Sequence, residues 1–429
     1  MSRHHHPTRR IHKRLPLPPP PQRSSLALWP DLDALDDDLA WAMFVLTRRM
    51  RSMAEATPRS LGRWVRGLEV RAAAAGAPEI GADLRLLVSA TGAPNENQRS
   101  LAAACFRLAE WADGRGIPEL AIQFASAAVV LDPTNPEQSY LSARLHRRLD
   151  RLAEAEILYG RAIWLGRSAK RWEFYIRGHL GLGKIHQDRG EQDAAMSRYV
   201  PAANAAWRLS GEKWLAGMTE HDLLVLTIET DMLDDALLHA VRAHHWTPKH
   251  AESVPSLVHD IALMLVRMRA YGLAVPLLSA ASAKLIGAAD RAIALSTLAH
   301  SAAGVGKLDR FREARESLLG SVNGFAQKAA GIHNNLAAGA HLLGLQSEAE
   351  WHAVAGLEIA TARREATAVS NLRAILETIR RGTPPTAPMD DPPSHLRTLA
   401  HDLETRLAAW RGPTWKRKRQ SGAADLGEV

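Results

Sequence analysis

The sequence predicts an all-α fold, a right-handed α-solenoid of about seven helical hairpins, and three observations support this prediction. Seven alanines recur at intervals of 34 to 41 residues through the middle of the chain. A small or bulky apolar residue follows each alanine by four positions, and a small residue precedes six of the seven by twelve positions. These alanines, here called rungs, are Ala121, Ala155, Ala195, Ala236, Ala274, Ala314 and Ala349.

The spacing around each rung is typical of two packed helices. Small or apolar residues at offsets of zero, four and seven lie on one face of an α-helix. The small residue twelve positions earlier then belongs to a preceding helix, and small side chains on both helices let them cross closely. Such units pack mainly on their neighbours, so a chain of 429 residues need not divide into separate globular domains.

The N-terminal quarter of the chain does not follow this repeat. Residues 1–25 are rich in proline and arginine, and we expect a disordered basic tail there. Further on, acidic residues from Asp31 to Asp38 precede an apolar stripe that ends near Arg51, which predicts a helix. Residues 26–100 are therefore interpreted as an N-terminal helical region or cap.

The repeats occupy residues 101–361. Glycines stand where hairpin turns are needed, for example Gly190 before Ala195. The segment 362–381 predicts a last helix whose apolar face covers the final repeat, so that 101–381 forms one solenoid with its capping helix.

The C-terminal segment predicts a linker, a helix and a tail. Residues 382–394 contain five prolines and predict a linker. Residues 395–411 carry leucines spaced along one helical face and predict a short amphipathic helix. Residues 412–429 are expected to form a second disordered basic tail.

Within the repeats, two segments resemble the tetratricopeptide repeat family. Residues 101–133 carry a small residue at Ala109, a turn glycine at Gly116 and a closing proline at Pro133. Residues 179–203 carry Leu182-Gly183, Gly190, Ala195, Tyr199 and Ala202. The chain lacks the tryptophan that the family places in its first helix, and several units exceed 34 residues. The alternative interpretation, a related solenoid with longer helices, is therefore left open.

The resemblance implies a concave groove lined by the first helix of each hairpin, and thus a non-enzymatic scaffold that binds a protein or peptide. The inward positions are Tyr140, Arg144, Arg147, Arg148, Arg177, Lys184, His221, His259 and Asn334. Arginine binds carboxylates in a bidentate manner, so an acidic peptide or protein segment is the expected partner. The alternative is that these charges form an ordinary solvated helix face.

The net charge of +8 belongs to the two tails. Residues 1–23 carry six arginine or lysine residues and no acid, and the C-terminal tail carries four in a row. Trp415 followed by Lys416, Arg417, Lys418 and Arg419 suits phosphate contacts with some stacking. A nucleic-acid-associated regulatory protein is therefore the alternative function.

Motifs for catalysis are sparse, and we predict neither an enzyme nor a cofactor. His221-Asp222 and His259-Asp260 are pairs of the kind used by metal-dependent hydrolases, which makes such an enzyme a remote alternative. Neighbouring repeats are spaced about 10 Å apart. The two histidines should therefore be too far apart to share a Zn²⁺ ion, and no metal site is predicted.

The single cysteine, Cys105, is incompatible with an intrachain disulfide framework and is typical of a reducing compartment. We expect it to be a small buried hydrophobic side chain. No apolar run approaches the ~18 residues of a membrane span, and the proline-rich N-terminal segment does not fit a signal peptide. We therefore expect a cytoplasmic protein without membrane association.

Overall fold

The computed structural model describes residues 77–90, 97–115, 117–319, 328–363 and 365–412, and eight further positions between residues 43 and 72. The regular structure in these residues is helical, and they contain no β-strand. None of the described helices is both long and apolar enough to cross a membrane. The chain divides into two compact units, unit 1 up to Ile185 and unit 2 from His186 onward.

The helices with defined bounds follow one another closely. They are α1 (Gly81–Ala90), α2 (Gln98–Gly114), α3 (Pro118–Leu131), α4 (Pro136–Arg148), α5 (Leu152–Ser168), α6 (Trp172–Asp188), α7 (Gln192–Arg208), α8 (Lys213–Glu229), α9 (Leu233–Trp246), α10 (Val254–Arg267), α11 (Tyr271–Ser282), α12 (Ala288–Gly304), α13 (Leu308–Leu319), α14 (Ala329–Leu342), α15 (Gln346–Arg363), α16 (Ala366–Arg380) and α17 (Ser394–Ala409).

The helices from α2 to α15 alternate as first and second helices of hairpins, which confirms the all-α helical-repeat fold class. Unit 1 holds the hairpins α2–α3 and α4–α5 and most of α6. Unit 2 holds α7 and the hairpins α8–α9, α10–α11, α12–α13 and α14–α15. The two helices of each of these hairpins pack against each other, and α16 packs on α14 and α15.

The rungs are buried at places where helices pack against each other. Every rung except Ala314 has no exposed surface, and the residue twelve positions before each is also buried. Because alanine and glycine project little from the helix, the backbones of neighbouring helices can approach each other. The small residues of the sequence repeat are therefore the residues at which neighbouring helices are buried against each other.

Three residues join the first helix to the second in every hairpin. The N–H of the third residue donates to a carbonyl in the last turn of the first helix, as from Ile117 to Ala112 at 2.9 Å. This is the Schellman arrangement, whose middle residue has a left-handed backbone. Six of the middle residues are described and all have positive φ: Asp150, Gly190, Asp231, Arg269, Gly306 and Gly344. The predicted turn at Gly116 lies outside the described residues.

The turn of the sixth hairpin corrects one rung. In the other hairpins with a described middle residue, the rung follows that residue by five positions. Five positions after Gly306 is Phe311, which is fully buried, whereas Ala314 lies almost one turn further along the same face. The assignment of Ala314 was therefore wrong by three residues, and the sixth rung is Phe311. The error arose because the site holds an aromatic ring where the other hairpins hold alanine.

Three aromatic rings on second helices lie against glycines of the next first helix. A Cβ atom at Gly181 would lie 2.2 Å from the Tyr159 ring, and one at Gly304 would lie 2.3 Å from the Tyr271 ring. Gly339 lies against the Phe311 ring in the same way. Each ring occupies the space that a side chain at the glycine would need.

Two second helices, α3 and α11, have similar apolar sequences, and each shares an apolar core with helical residues from outside the hairpins. Residues 120–127 read LAIQFASA and residues 273–280 read LAVPLLSA. In unit 1, helical residues including Met43 and Leu46 belong to the same apolar core as α3. In unit 2, α17 packs on α11 and α10.

Candidate functional site

The first helices of unit 1 present a cationic and aromatic surface, here called the arginine face. It consists of the predicted positions Tyr140, Arg144, Arg147, Arg148, Arg177 and Lys184. All six lie on α4 or on the part of α6 that belongs to unit 1. The structure therefore brings these predicted residues onto two neighbouring first helices.

Two arginines of this face hold one carboxylate. Arg144 Nη2 donates to Asp113 Oδ2 at 2.9 Å, and Arg148 pairs with the other oxygen. Asp113 lies on α2, the preceding first helix, and its side chain is 12% exposed. The Nε atom of Arg144 is buried without a hydrogen-bond partner, so this guanidinium has a donor that the fold does not use.

Aromatic rings support the remaining arginines. The Arg177 guanidinium lies 5.4 Å from the centre of the Tyr140 ring and pairs with Glu173 at 3.2 Å. Tyr140 itself packs against Tyr159, with 6.1 Å between ring centres. Arg147 hydrogen-bonds the Tyr159 hydroxyl. These contacts fix the side chains in place and keep their charges close to the surface.

In unit 2 the first helices carry neutral polar groups and one acid, here called the polar row: His221, His259, Asp260, Ser296, Thr297, Asn334 and Asn335. Asp260 receives one hydrogen bond from His221 at 2.7 Å and another from His259 at 2.8 Å. The two histidines, which were expected to be too far apart to share a Zn²⁺ ion, each hydrogen-bond a different oxygen of this carboxylate.

The polar row continues across the next two first helices. His259 Nε2 lies 3.4 Å from Thr297 Oγ1, and the Asn335 amide donates to both Thr297 and Ser296. Asn334, the predicted binding residue beside it, is half-buried, and its carbonyl oxygen has no protein partner. Sequence reasoning missed Ser296 and Thr297 because the wrong sixth rung shifted their positions. Counting back from Phe311 places them beside His259 and Asn334.

The charge state of Asp260 follows from its neighbours. Burial alone would raise the pKa of this carboxyl group, but the hydrogen bonds from His221 and His259 outweigh that effect and hold its pKa well below the usual range. Asp260 is therefore an anion between two imidazoles. This arrangement ties α8 to α10 in the interior of unit 2.

The polar row resembles a hydroxyl–histidine–carboxylate relay, but its hydroxyl is inaccessible. Thr297 is fully buried, and its Oγ1 donates to the Ile293 carbonyl at 2.9 Å. Within the described part of the chain, no three histidine, cysteine or acidic side chains are arranged to hold a metal ion. Cys105 is fully buried, and burial raises the pKa of its thiol. The geometry thus offers neither an exposed nucleophile nor a metal-activated water among these groups.

The residues proposed for nucleic-acid contact, Lys416, Arg417, Lys418 and Arg419, lie outside the described residues.

Comparison with known proteins gives a structural neighbour and no sequence relative. No family model matches the chain, and no curated protein sequence matches it. A solved structure described as a circular tandem repeat protein with novel repeat topology and enhanced subunit contact surfaces is 15% identical. The alignment covers 94% of this chain and 99% of that one, with a TM-score of 0.17.

Proposed function

We propose that the chain is a non-enzymatic binding scaffold whose arginine face takes an acidic segment of a partner protein. The pair Arg144 and Arg148, which already holds the Asp113 carboxylate, is the observation that carries this proposal. This internal ion pair supports the choice of a partner that carries carboxylates.

The charge of the first helices supports the choice of an acidic partner. The helix α4 and the unit 1 part of α6 carry five arginine or lysine side chains and two glutamates. The first helices α8, α10, α12 and α14 of unit 2 carry three basic and five acidic side chains. An acidic segment is therefore attracted to the first helices of unit 1 and not to those of unit 2.

A labelled octaglutamate peptide tests this assignment. Changing Arg144→Glu and Arg177→Glu together should weaken its binding at least tenfold, because both reversals replace attraction by repulsion on one face. Arg167→Glu is the matched control, since Arg167 is exposed on the second helix α5 of the same unit. The double variant, but not Arg167→Glu, should also lose partners that the wild-type chain captures.

Binding should also fall as salt is raised, since exposed charges are screened within about 10 Å at 0.1 M salt. Octaglutamate binding that is equal in the wild-type chain and the double variant would remove the arginine face as the binding surface.

A further inference from the structure

The second helix α9 carries an outward stripe in which every residue is exposed. The stripe consists of Asp234, Leu238, Val241 and His245. These residues are separated by four, three and four positions, so they lie on one face of the helix. Leu238 is 46% exposed and Val241 is 48% exposed, although both are large aliphatic side chains. The fold therefore leaves the apolar centre of this stripe in contact with water.

The neighbouring second helix α7 extends the apolar surface. Its Val200 and Trp207 are 45% and 44% exposed. Val200 lies five positions after its rung, as Val241 does in α9. The Trp207 ring lies edge-on against Trp246 at the end of α9, with 4.7 Å between ring centres, so the two helices are side by side. Connected apolar surface of this kind commonly marks an interaction site. The α7–α9 face is formed by Val200, Trp207, Leu238 and Val241.

The stripe of α9 is symmetric about the middle of the helix. Because α9 comprises Leu233–Trp246, its midpoint lies halfway between Leu238 and Val241. The same point lies halfway between Asp234 and His245. When two copies of α9 pack antiparallel across a two-fold axis at this point, each residue faces the one equally far from the midpoint. Leu238 of one copy then faces Val241 of the other. At the ends of the stripe, an aspartate faces a histidine.

A second pair of charges fits the same arrangement. Asp235 and Arg242 are seven positions apart, which is about two helical turns, and they lie on one flank of the stripe. A two-fold axis in the interface keeps this flank on the same side in both copies, so Asp235 of one copy lies beside Arg242 of the other. Asp235 has no ion pair within the described residues. The Arg242 side chain is 46% exposed, and its nearest carboxylate oxygen, on Glu220, is 4.0 Å away.

The second helix α15 exposes a similar apolar pair without the matching charges. Trp351 and Val354 occupy the positions that Leu238 and Val241 occupy in α9, and both are exposed. The flanking positions of the α15 stripe are Ser347 and Glu358, so antiparallel pairing of two copies brings no opposite charges together.

Acidic residues at the start of a helix and basic residues at its end are common, because they interact favourably with the helix dipole. In α9 these charges are combined with a symmetric apolar centre. That combination makes the surface complementary to its own two-fold image.

We propose that the α7–α9 face is an interface between two copies of this chain, packed antiparallel about a two-fold axis through the middle of α9. Such a contact closes on itself, so the expected product is a dimer. Two helix faces are smaller than the about 800 Å² per partner of a standard interface, so we expect a dissociation constant in the micromolar range. The interface lies on second helices of unit 2, whereas the arginine face lies on first helices of unit 1. Each assignment can fail without the other.

Sedimentation velocity of the full-length chain across micromolar concentrations tests the proposal, and we expect a monomer–dimer equilibrium. Val241→Asp should weaken the dimer at least tenfold, because it places a carboxylate against Leu238 of the other copy. Val354→Asp is the matched control, since it makes the same change at the equivalent exposed position of α15. That control should leave the dimer unchanged. Both positions are exposed, and circular dichroism checks that both variants keep their helices.

A charge exchange tests the two-fold arrangement itself. His245→Glu alone places two carboxylates opposite each other, and Asp234→Arg alone places two basic groups opposite each other. Each single change should weaken the dimer at least threefold. The two changes combined in one chain should restore it, because each new arginine then faces a new glutamate across the axis.

Four results would overturn the proposal. They are a chain that stays monomeric at all these concentrations, a dimer that Val241→Asp leaves intact, a dimer that Val354→Asp weakens equally, and a combined charge exchange that does not restore association. A monomeric chain that binds a different protein through the α7–α9 face would assign the face to that partner and would equally count against a second copy.

Discussion

Asp150, Asp231 and Arg269 adopt the left-handed backbone that glycine supplies in the equivalent turns. The turn imposes this conformation because its hydrogen bonds are the same in every hairpin. A side chain in this region costs roughly 1 to 2 kcal/mol, least for aspartate and asparagine. The packing of the two helices therefore imposes on these residues a backbone conformation that their side chains disfavour.

A pair of glycine substitutions measures this cost. Gly344 has φ of 73°, and no other atom lies within 4 Å of the position that a Cβ would occupy there. Gly344→Ala should therefore lower the free energy of unfolding of unit 2 by about 1 kcal/mol through backbone strain alone. Gly272→Ala is the control, because Gly272 is helical, exposed and equally uncrowded. That change should be neutral or stabilising by up to about 1 kcal/mol. Urea denaturation of both variants checks the opposite signs, and equal effects would contradict the strain.

His146 is a buried polar residue that sequence reasoning did not single out. It is 1% exposed, and neither ring nitrogen has a hydrogen-bond partner. Burial and the neighbouring Arg151 lower its pKa to about 4, although Glu154 acts in the opposite direction. The folded chain therefore holds this ring neutral at pH values where the unfolded chain protonates it.

The sign of the pH dependence follows from that shift. Because the folded pKa lies below the unfolded value of about 6.5, stability is complete above pH 6.5 and falls as the pH is lowered towards 4. The loss attributable to His146 is at most about 3 kcal/mol at ~1.4 kcal/mol per pH unit. His146→Leu should remove this part of the dependence and cost little at pH 7.5, since no hydrogen bond is lost. Urea denaturation at pH 7.5, 6 and 5 measures it, and identical pH profiles for both chains would contradict it.

At the scale of elements, neighbouring hairpins fit together because an aromatic ring on one helix lies against a glycine on the next. Tyr159 of α5 occupies the space beside Gly181 of α6, and similar pairs recur in unit 2. The alanine pattern predicted where helices cross, because small residues are needed wherever two backbones approach. It did not predict Phe311, because a large residue on one helix is compatible with the repeat when its partner is glycine.

A double-mutant cycle tests this packing in unit 1. Gly181→Ala should lower stability by about 1 to 3 kcal/mol, since the new Cβ meets the Tyr159 ring. In a Tyr159→Leu background the same substitution should become neutral or stabilising, because alanine favours a helix over glycine by about 1 kcal/mol. The reversal of sign is the diagnostic result. A cost of Gly181→Ala that is the same in both backgrounds would show that the ring is not what excludes the side chain.

At the scale of the whole molecule, the sequence was sufficient for the fold class and for the composition of the arginine face. Periodic small residues determine helix packing directly, and charged positions on first helices can be counted from the rungs. The hydrogen-bond partners could not be predicted in the same way. Asp113 reaches Arg144 from another first helix, and His221 reaches Asp260 across a gap between helices, so both contacts depend on side-chain conformation rather than on spacing along the chain.

The two units therefore present different chemistry on equivalent helices. The first helices of unit 1 carry exposed cations, whereas those of unit 2 bury a hydrogen-bonded network around Asp260. A single repeat pattern produces both, because the rungs determine packing and leave the intervening positions free to vary. In the proposed scaffold, binding specificity is expected to be a property of a unit rather than of the repeat.

The constant three-residue turn within each hairpin limits where residues can be inserted into such a chain. Among the described connections between hairpins, the length runs from three residues at 169–171 to seven at 247–253. One residue added inside such a turn would disrupt its closing hydrogen bond. If the next helix took up the extra residue, its alanines would be rotated by about 100° away from the interior. Inserted loops or modules are thus expected in the connections between hairpins, where an insertion leaves the packing of every helix unchanged.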